Sequence, residues 1–328
     1  MRRRRIPRIP GCIAIAIGLA TLIACSAPPI RAPRVLETWD PGGRVPGGFR
    51  QPTGIAIAED GTVFVADTGN DRILVFDAEG RLLRTFGRRG ELPGEFRRPM
   101  DLDLDAEGRL YVAELGGDRV QVLSREGRPI RIIRGEDTPA GRFDAAAGVL
   151  TAPSGEVYVA DFYNDRIVVF RRDGHFERIL GGSGRVWPGR LHYPTDLDWI
   201  EGELVVADAY NHRIQIFTTA GEAVARWGGP FGSGLPGRGP GSFRVAIGVA
   251  VDARNRVYVA DLENHRIQIF DRAGDLLSTF GGFGNAPGRF DRPTDLDVGP
   301  DGRIHVVDFG NDRIQVFEAL SRPDEGAR

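Results

Sequence analysis

Six carboxylates stand out because they come in pairs on alternating positions: Asp101-Leu102-Asp103, Asp196-Leu197-Asp198 and Asp295-Leu296-Asp297. Carboxylates crowded together repel unless a cation, a proton or Arg offsets them. Asp101, Asp196 and Asp295 are therefore the residues that would hold a hard cation such as Ca²⁺. The competing expectation is that each Asp receives backbone N–H groups or pairs with Arg. A second set is aromatic and basic: Phe162, Tyr163, His192, Tyr193, Tyr210 and Phe309, with Arg97 and Arg98 and with Phe231 in a Gly- and Pro-rich stretch over 229–242. Aromatic and Arg side chains are what recognition surfaces favour. Enzymatic signatures are thin. The five His, at 175, 192, 212, 265 and 305, include no pair at metal-ligand spacing on one element, and no nucleophile elbow, phosphate-binding Gly loop or Cys nucleophile is present.

The element that must position these residues recurs along the chain. Val65-Ala66-Asp67-Thr68-Gly69-Asn70-Asp71-Arg72-Ile73-Leu74-Val75-Phe76 is an apolar run, a polar turn and a second alternating run, the pattern of a β-hairpin. Its acidic residue returns as Glu114, Asp161, Asp208, Asp261 and Asp308, at steps of 47, 47, 47, 53 and 47 residues. A period this long is the mark of a repeat architecture. Within one period, strands are expected at Gly54 to Ala58, Thr62 to Ala66, Arg72 to Phe76 and Arg81 to Phe86, with turns at Asp60-Gly61 and Glu79-Gly80.

Six four-stranded antiparallel sheets bury both faces when set radially around an axis, so the expected fold is an all-β, six-bladed β-propeller. After Phe317 the sixth blade lacks a fourth strand, whereas Arg34 to Trp39 matches Arg81 to Phe86 and lies the same 18 residues before a Pro. The N-terminal segment is thus expected to supply the missing outer strand. Strand one lies innermost, so the Asp pairs of blades two, four and six alternate around the channel with Gly54, Gly148 and Gly248 of the other blades. The recurrent Asp, Asn and Arg read as a brace that makes the blades alike, and His212 and His265 as surface turn residues. The hairpins after Asp67 and its equivalents open on the face that carries the aromatic and Arg residues.

The runs Ala207 to Phe217 and Ala260 to Phe270, Ala-Asp followed two residues on by Asn-His-Arg-Ile-Gln-Ile-Phe, resemble the NHL repeat. The resemblance covers essentially the whole chain after its N-terminus and implies a propeller. For function it implies a choice among protein-binding or RNA-binding modules, sensor ectodomains and a lyase acting on peptidyl-α-hydroxyglycine, whose His-rich zinc set is missing here.

Arg2 to Arg5 and Arg8 precede an apolar run over Ile13 to Ile23, the layout of a signal peptide. The run ends in Leu22-Ile23-Ala24-Cys25, which resembles a bacterial lipobox in which Cys25 is acylated, with palmitate among the lipids expected. The expected divisions are 1–24 signal peptide, 25–33 tether, 34–319 propeller and 320–328 polar tail. Removing five Arg and no acid takes the formal charge from −2 to −7, and an acidic domain argues against nucleic acid as partner. Ser26 after Cys25 fits the periplasmic side of an outer membrane. The expected protein is a monomeric envelope lipoprotein binding an envelope protein or a carbohydrate or peptide ligand, with no cofactor beyond the channel Ca²⁺. The alternative is a metal-dependent lyase or lactonase working at the channel.

Overall fold

The computed structural model describes residues 30–39, 43, 45–136, 138–139 and 141–320. Cys25 and the rest of the N-terminal signal region lie outside the described residues. The chain forms six four-stranded antiparallel sheets, each running from an inner to an outer strand. Blade one is Ile55–Ile57, Val63–Asp67, Arg72–Phe76 and Leu82–Phe86. These strands form because β-branched and aromatic residues alternate between turns that Gly can close at positive φ, as at Gly61 (82°) and Gly80 (73°).

The sixth blade is completed by the N-terminal strand Val35–Trp39, which pairs with Arg313–Phe317 in the register Val35↔Phe317 to Trp39↔Ile314. Trp39 is buried, with its ring 5.1 Å from Phe76 of blade one and 5.4 Å from His305 of blade six. Closure therefore places a large apolar side chain between the first and last blades. Arg34 Nη2 meets Glu318 Oε2 at 2.8 Å at the rim. Two residues at the propeller's margin also dock: Ile30 donates its N–H to Leu277 O at 3.0 Å, and Leu320 is buried on the core of blades five and six.

No single core exists. Six apolar clusters lie between successive blades, the pair six and one being joined by Trp39, Val307 and Ile314 against Val65, Leu74 and Phe76. Each sheet is covered on both faces only because the ring closes.

The inner strands show why the sequence alternates. A Cβ on Gly54 would lie 2.5 Å from Met100 O, on Gly148 2.5 Å from Thr195 O, and on Gly248 2.5 Å from Thr294 O. In blades one, three and five, Gly lets the next inner strand approach at backbone distance. The Asp-bearing strands of blades two, four and six reach forward in turn: Asp101 Oδ2 accepts Val149 N–H at 2.8 Å, Asp196 Oδ2 accepts Val249 N–H at 2.7 Å, and Asp295 Oδ2 accepts Ile55 N–H at 2.8 Å.

Candidate functional site

The recurrent acid is a brace. Asp208, fully buried, accepts the N–H of His192 at 2.7 Å, Asn211 Nδ2 at 2.9 Å, Arg213 Nε at 2.7 Å and Gln215 Nε2 at 2.9 Å. Arg213 then donates to Arg190 O at 2.6 Å, tying the hairpin to the loop that enters the blade. Asp67 and its Arg72, Asn70 and Arg50 N–H partners repeat the pattern, as does Glu114 with Arg119, Gln121 and Arg97 N–H. Glu114, longer by one methylene, therefore does the work of Asp in blade two.

A second ring links blade to blade and was not legible in the sequence. Each hairpin turn ends in a left-handed residue, Asp71, Asp118, Asp165, His212, His265 or Asp312. The side chain of that residue accepts a backbone N–H from the loop of the next blade: Arg98, Ala145, Tyr193, Val245, Arg292 and Gln51 in turn, at 2.6–3.0 Å. His212 and His265 sit in turns as expected, yet they are half-buried connectors whose Nδ1 accepts, which puts the proton of the neutral ring on Nε2. Burial pushes His212 down from the usual range.

The six receiving residues are also left-handed, with φ between 49° and 65°. None is Gly, and Val245 is β-branched, so the conformation is held by the acceptor of the preceding blade. Two of these strained positions, Arg98 and Tyr193, carry residues singled out above, and a third carries Arg292. The strain aims them at one face.

On that face the structure brings five of the sequence-predicted residues together. Tyr193 is central: it stacks on Phe162 at 4.7 Å and 16° and on His192 at 4.2 Å and 26°. Tyr163 and Tyr210 stand edge-on to it at 5.5 Å and 5.2 Å, and remain 56% and 45% exposed. Arg185 Nη2 donates to His192 Nε2 at 2.8 Å, so the ring proton is on Nδ1, facing Asp165 Oδ1 at 3.4 Å. Asp165 Oδ1 also accepts the Tyr193 N–H at 2.8 Å. One buried carboxylate thus orients both central rings.

Arg97, Arg98 and Phe309 are not in this cluster. They line a separate cavity of about 480 Å³ in the same face, between blades one, two, five and six. Phe231 lies in a short 3-10 turn, Pro230–Gly232, within the expected insertion; its side chain lies outside the described residues.

The channel carboxylates line a cavity of about 70 Å³. Asp101 Oδ1 accepts Leu102 N–H at 2.7 Å in addition to the Val149 N–H on Oδ2, and Asp196 and Asp295 do likewise. The second tier, Asp103, Asp198 and Asp297, reaches Thr151, Val251 and Ile57 N–H. Burial raises all six, with repulsion from neighbouring carboxylates adding to it at every one but Asp297: Asp103 and Asp196 to about 7, Asp297 to about 6, and Asp101, Asp198 and Asp295 well above the carboxylate range. Among the described residues, no group of three or more His, Cys, Asp or Glu side chains is arranged to hold a metal ion.

Family comparison matches the NHL repeat at residues 49–76, 191–217, 243–270 and 290–317, the stretches running from the entering loop through the braced hairpin. Four of the six blades thus carry a match to the NHL repeat. A stretch of 41 residues is 54% identical to the protein brain tumor of Drosophila melanogaster, covering 12% of this chain and 4% of the fly protein. The chain thus shares one short segment with that much longer relative. Among solved structures, a streptogramin B lyase is similar with a TM-score of 0.61 at 16% identity, over 87% of this chain and 97% of that one. An auxiliary nutrient binding protein from Bacteroides thetaiotaomicron has a TM-score of 0.61 at 13% identity, over 84% and 70%. At such identities the likeness is one of fold.

Proposed function

We propose that this NHL propeller is a recognition scaffold of the cell envelope, binding a protein or peptide through the aromatic cluster centred on Tyr193. The observation that carries the reading is the cluster itself: two half-exposed Tyr rings flank a stacked core whose orientation is set by a buried Asp and a strained backbone. A surface that leaves aromatic rings in water while fixing their geometry is preorganised for a partner. The nutrient-binding protein of the same fold is consistent with a binding role. Cys25 is the proposed lipid-bearing residue, placing the propeller on the periplasmic side of the outer membrane; labelled palmitate incorporated by the native chain and not by Cys25→Ser would support this.

Binding to peptide and glycan arrays tests the recognition reading. Tyr193→Ala should weaken binding at least tenfold, about 1.4 kcal/mol, and Tyr210→Ala should weaken it with an unchanged melting temperature. Binding unaffected by both changes would refute it. Capture of glycans alone would replace the peptide by a carbohydrate.

A second reading rests on the channel: a metal-dependent lyase or lactonase with Ca²⁺ on Asp101, Asp196 and Asp295. What favours it is the raised affinity of these carboxylates for a proton, a demand that a cation could also meet, and a lyase shares the fold. What weighs against it is that their oxygens already receive backbone N–H groups in a cavity of about 70 Å³. Elemental analysis of the purified protein beside Asp101→Asn decides: stoichiometric metal lost in the variant supports the channel site, and no metal in either removes it.

A further inference from the structure

The cavity between blades one, two, five and six gathers five Arg on a propeller whose formal charge is negative. Arg50, Arg89, Arg97, Arg98 and Arg292 surround it, against Asp71 and Glu263. Three of these guanidinium groups, those of Arg50, Arg89 and Arg98, make no hydrogen bond or ion pair to any described residue. Arg97 pairs with Glu91 at 2.9 Å across an exposed contact, which contributes little and exchanges easily. Arg292 lies 5.4 Å from the centre of the Phe309 ring and 3.2 Å from Asp291.

Gathering like charges is unfavourable, and the backbone enforces it. The N–H of Arg50 is held by Asp67 Oδ1 at 2.7 Å, that of Arg97 by Glu114 Oε2 at 2.8 Å, that of Arg98 by Asp71 Oδ1 at 2.7 Å and that of Arg292 by His265 Nδ1 at 3.0 Å. Arg98 and Arg292 are left-handed, with φ of 52° and 54°. Four of the five Arg are therefore pinned at the backbone by the two rings of inter-loop hydrogen bonds, and their side chains are left to find anions. The rest of the cavity wall is mixed, apolar at Met100, Ile247, Leu262 and Phe309 and polar at Thr53, Thr68 and Thr294.

We infer that this cavity is a binding site for a small organic anion, a molecule with an apolar body and at least two negative charges on carboxylate, phosphate or sulfate groups. Its volume suits a ligand of drug-like size. Arg pairs with such oxyanions through two parallel N–H···O contacts, which is why a point charge such as Lys is a poor substitute. The site lies apart from the Tyr193 cluster and does not depend on it.

Titration calorimetry of the full chain in detergent at low salt tests the inference, with phenyl phosphate and phthalate as probes and benzyl alcohol as the neutral control. At least one anion should bind with a dissociation constant below about 1 mM, the neutral probe should not, and raising NaCl from about 50 to 200 mM should weaken binding by screening. Binding of phenyl phosphate alone identifies a phosphate ester as the natural class, binding of phthalate alone identifies a dicarboxylate, and both together leave the oxyanion class standing. Arg50→Ala with Arg98→Ala should weaken binding tenfold or more at an unchanged melting temperature, since neither guanidinium group has a partner among the described residues. Arg128→Ala, on an exposed Arg outside the cavity, should leave affinity unchanged, as should Tyr193→Ala, so failure here and failure of the recognition reading are separable. No heat with either anion at about 5 mM, or equal affinity in the double variant, overturns the site.

Discussion

At the scale of single residues, His305 is the clearest departure from the repeat. It is 3% exposed on the second strand of blade six, neither ring nitrogen has a hydrogen-bond partner among the described residues, and burial pushes its pKa down to about 4. Blade one has Phe64 at this place, fully buried. His305→Phe should raise stability by about 1 kcal/mol, because a buried polar ring with no partner is exchanged for an apolar one; the midpoint of urea unfolding checks it, and a lowered midpoint would show that the nitrogens are satisfied. The residue scale is also where the sequence was least legible. Gln51, Arg98, Ala145, Tyr193, Val245 and Arg292 share a left-handed backbone and no chemistry, so no residue type announces them. What could have announced them is the acceptor one blade earlier, an Asp or His that follows Asn in five blades and Gly117 in blade two, and that read only as a turn residue. Arg50 and Arg89 escaped notice for the same reason: only the closed ring sets them beside Arg98.

At the scale of elements, the hairpins and their order were legible, with observed strand limits within about a residue of expectation, because alternation and Gly turns are local signals. The threefold alternation of inner strands was visible too, but its reason was not. Gly in odd blades admits the neighbouring backbone, and Asp in even blades ties to the next. Gly148→Ala should therefore cost about 1–3 kcal/mol through a backbone clash that no rotamer relieves, measured by chemical unfolding; an unchanged midpoint would mean that the inner strands slide apart freely. The closing strand gives a matched pair of expectations. Trp39→Ala should cost about 3–5 kcal/mol, whereas Arg34→Ala, which breaks only an exposed ion pair, should cost under about 1 kcal/mol. Similar small effects from both would place the latch outside the core.

At the scale of the whole molecule, the six channel carboxylates couple stability to pH. In the unfolded chain an Asp titrates near 3.9, whereas Asp103 and Asp196 are raised to about 7 and Asp297 to about 6. Between these limits the folded state binds more protons, so this contribution is full at the acid end and falls as pH rises through 6 to 7. His305 acts oppositely, its lowered pKa withdrawing stability as pH falls from about 6.5 towards 4. Comparison with Asp196→Asn isolates the carboxylates: from pH 5 to 8 the native chain should lose about 1–3 kcal/mol relative to the variant, and parallel pH profiles would contradict the raised values. The ring itself was legible because six similar units and a displaced outer strand leave few other arrangements. The face on which function is proposed was legible only in part, since Phe162, Tyr163, His192, Tyr193 and Tyr210 converge through contacts between blades three and four that no local pattern encodes. The most direct test of the recognition claim is photo-crosslinking in intact cells from a photoreactive side chain placed at Tyr210, beside the same probe at the exposed Glu126 away from that face. The expected result is a discrete adduct with an envelope protein from position 210 and none from 126; no adduct from 210, or the same adduct from both, would contradict it.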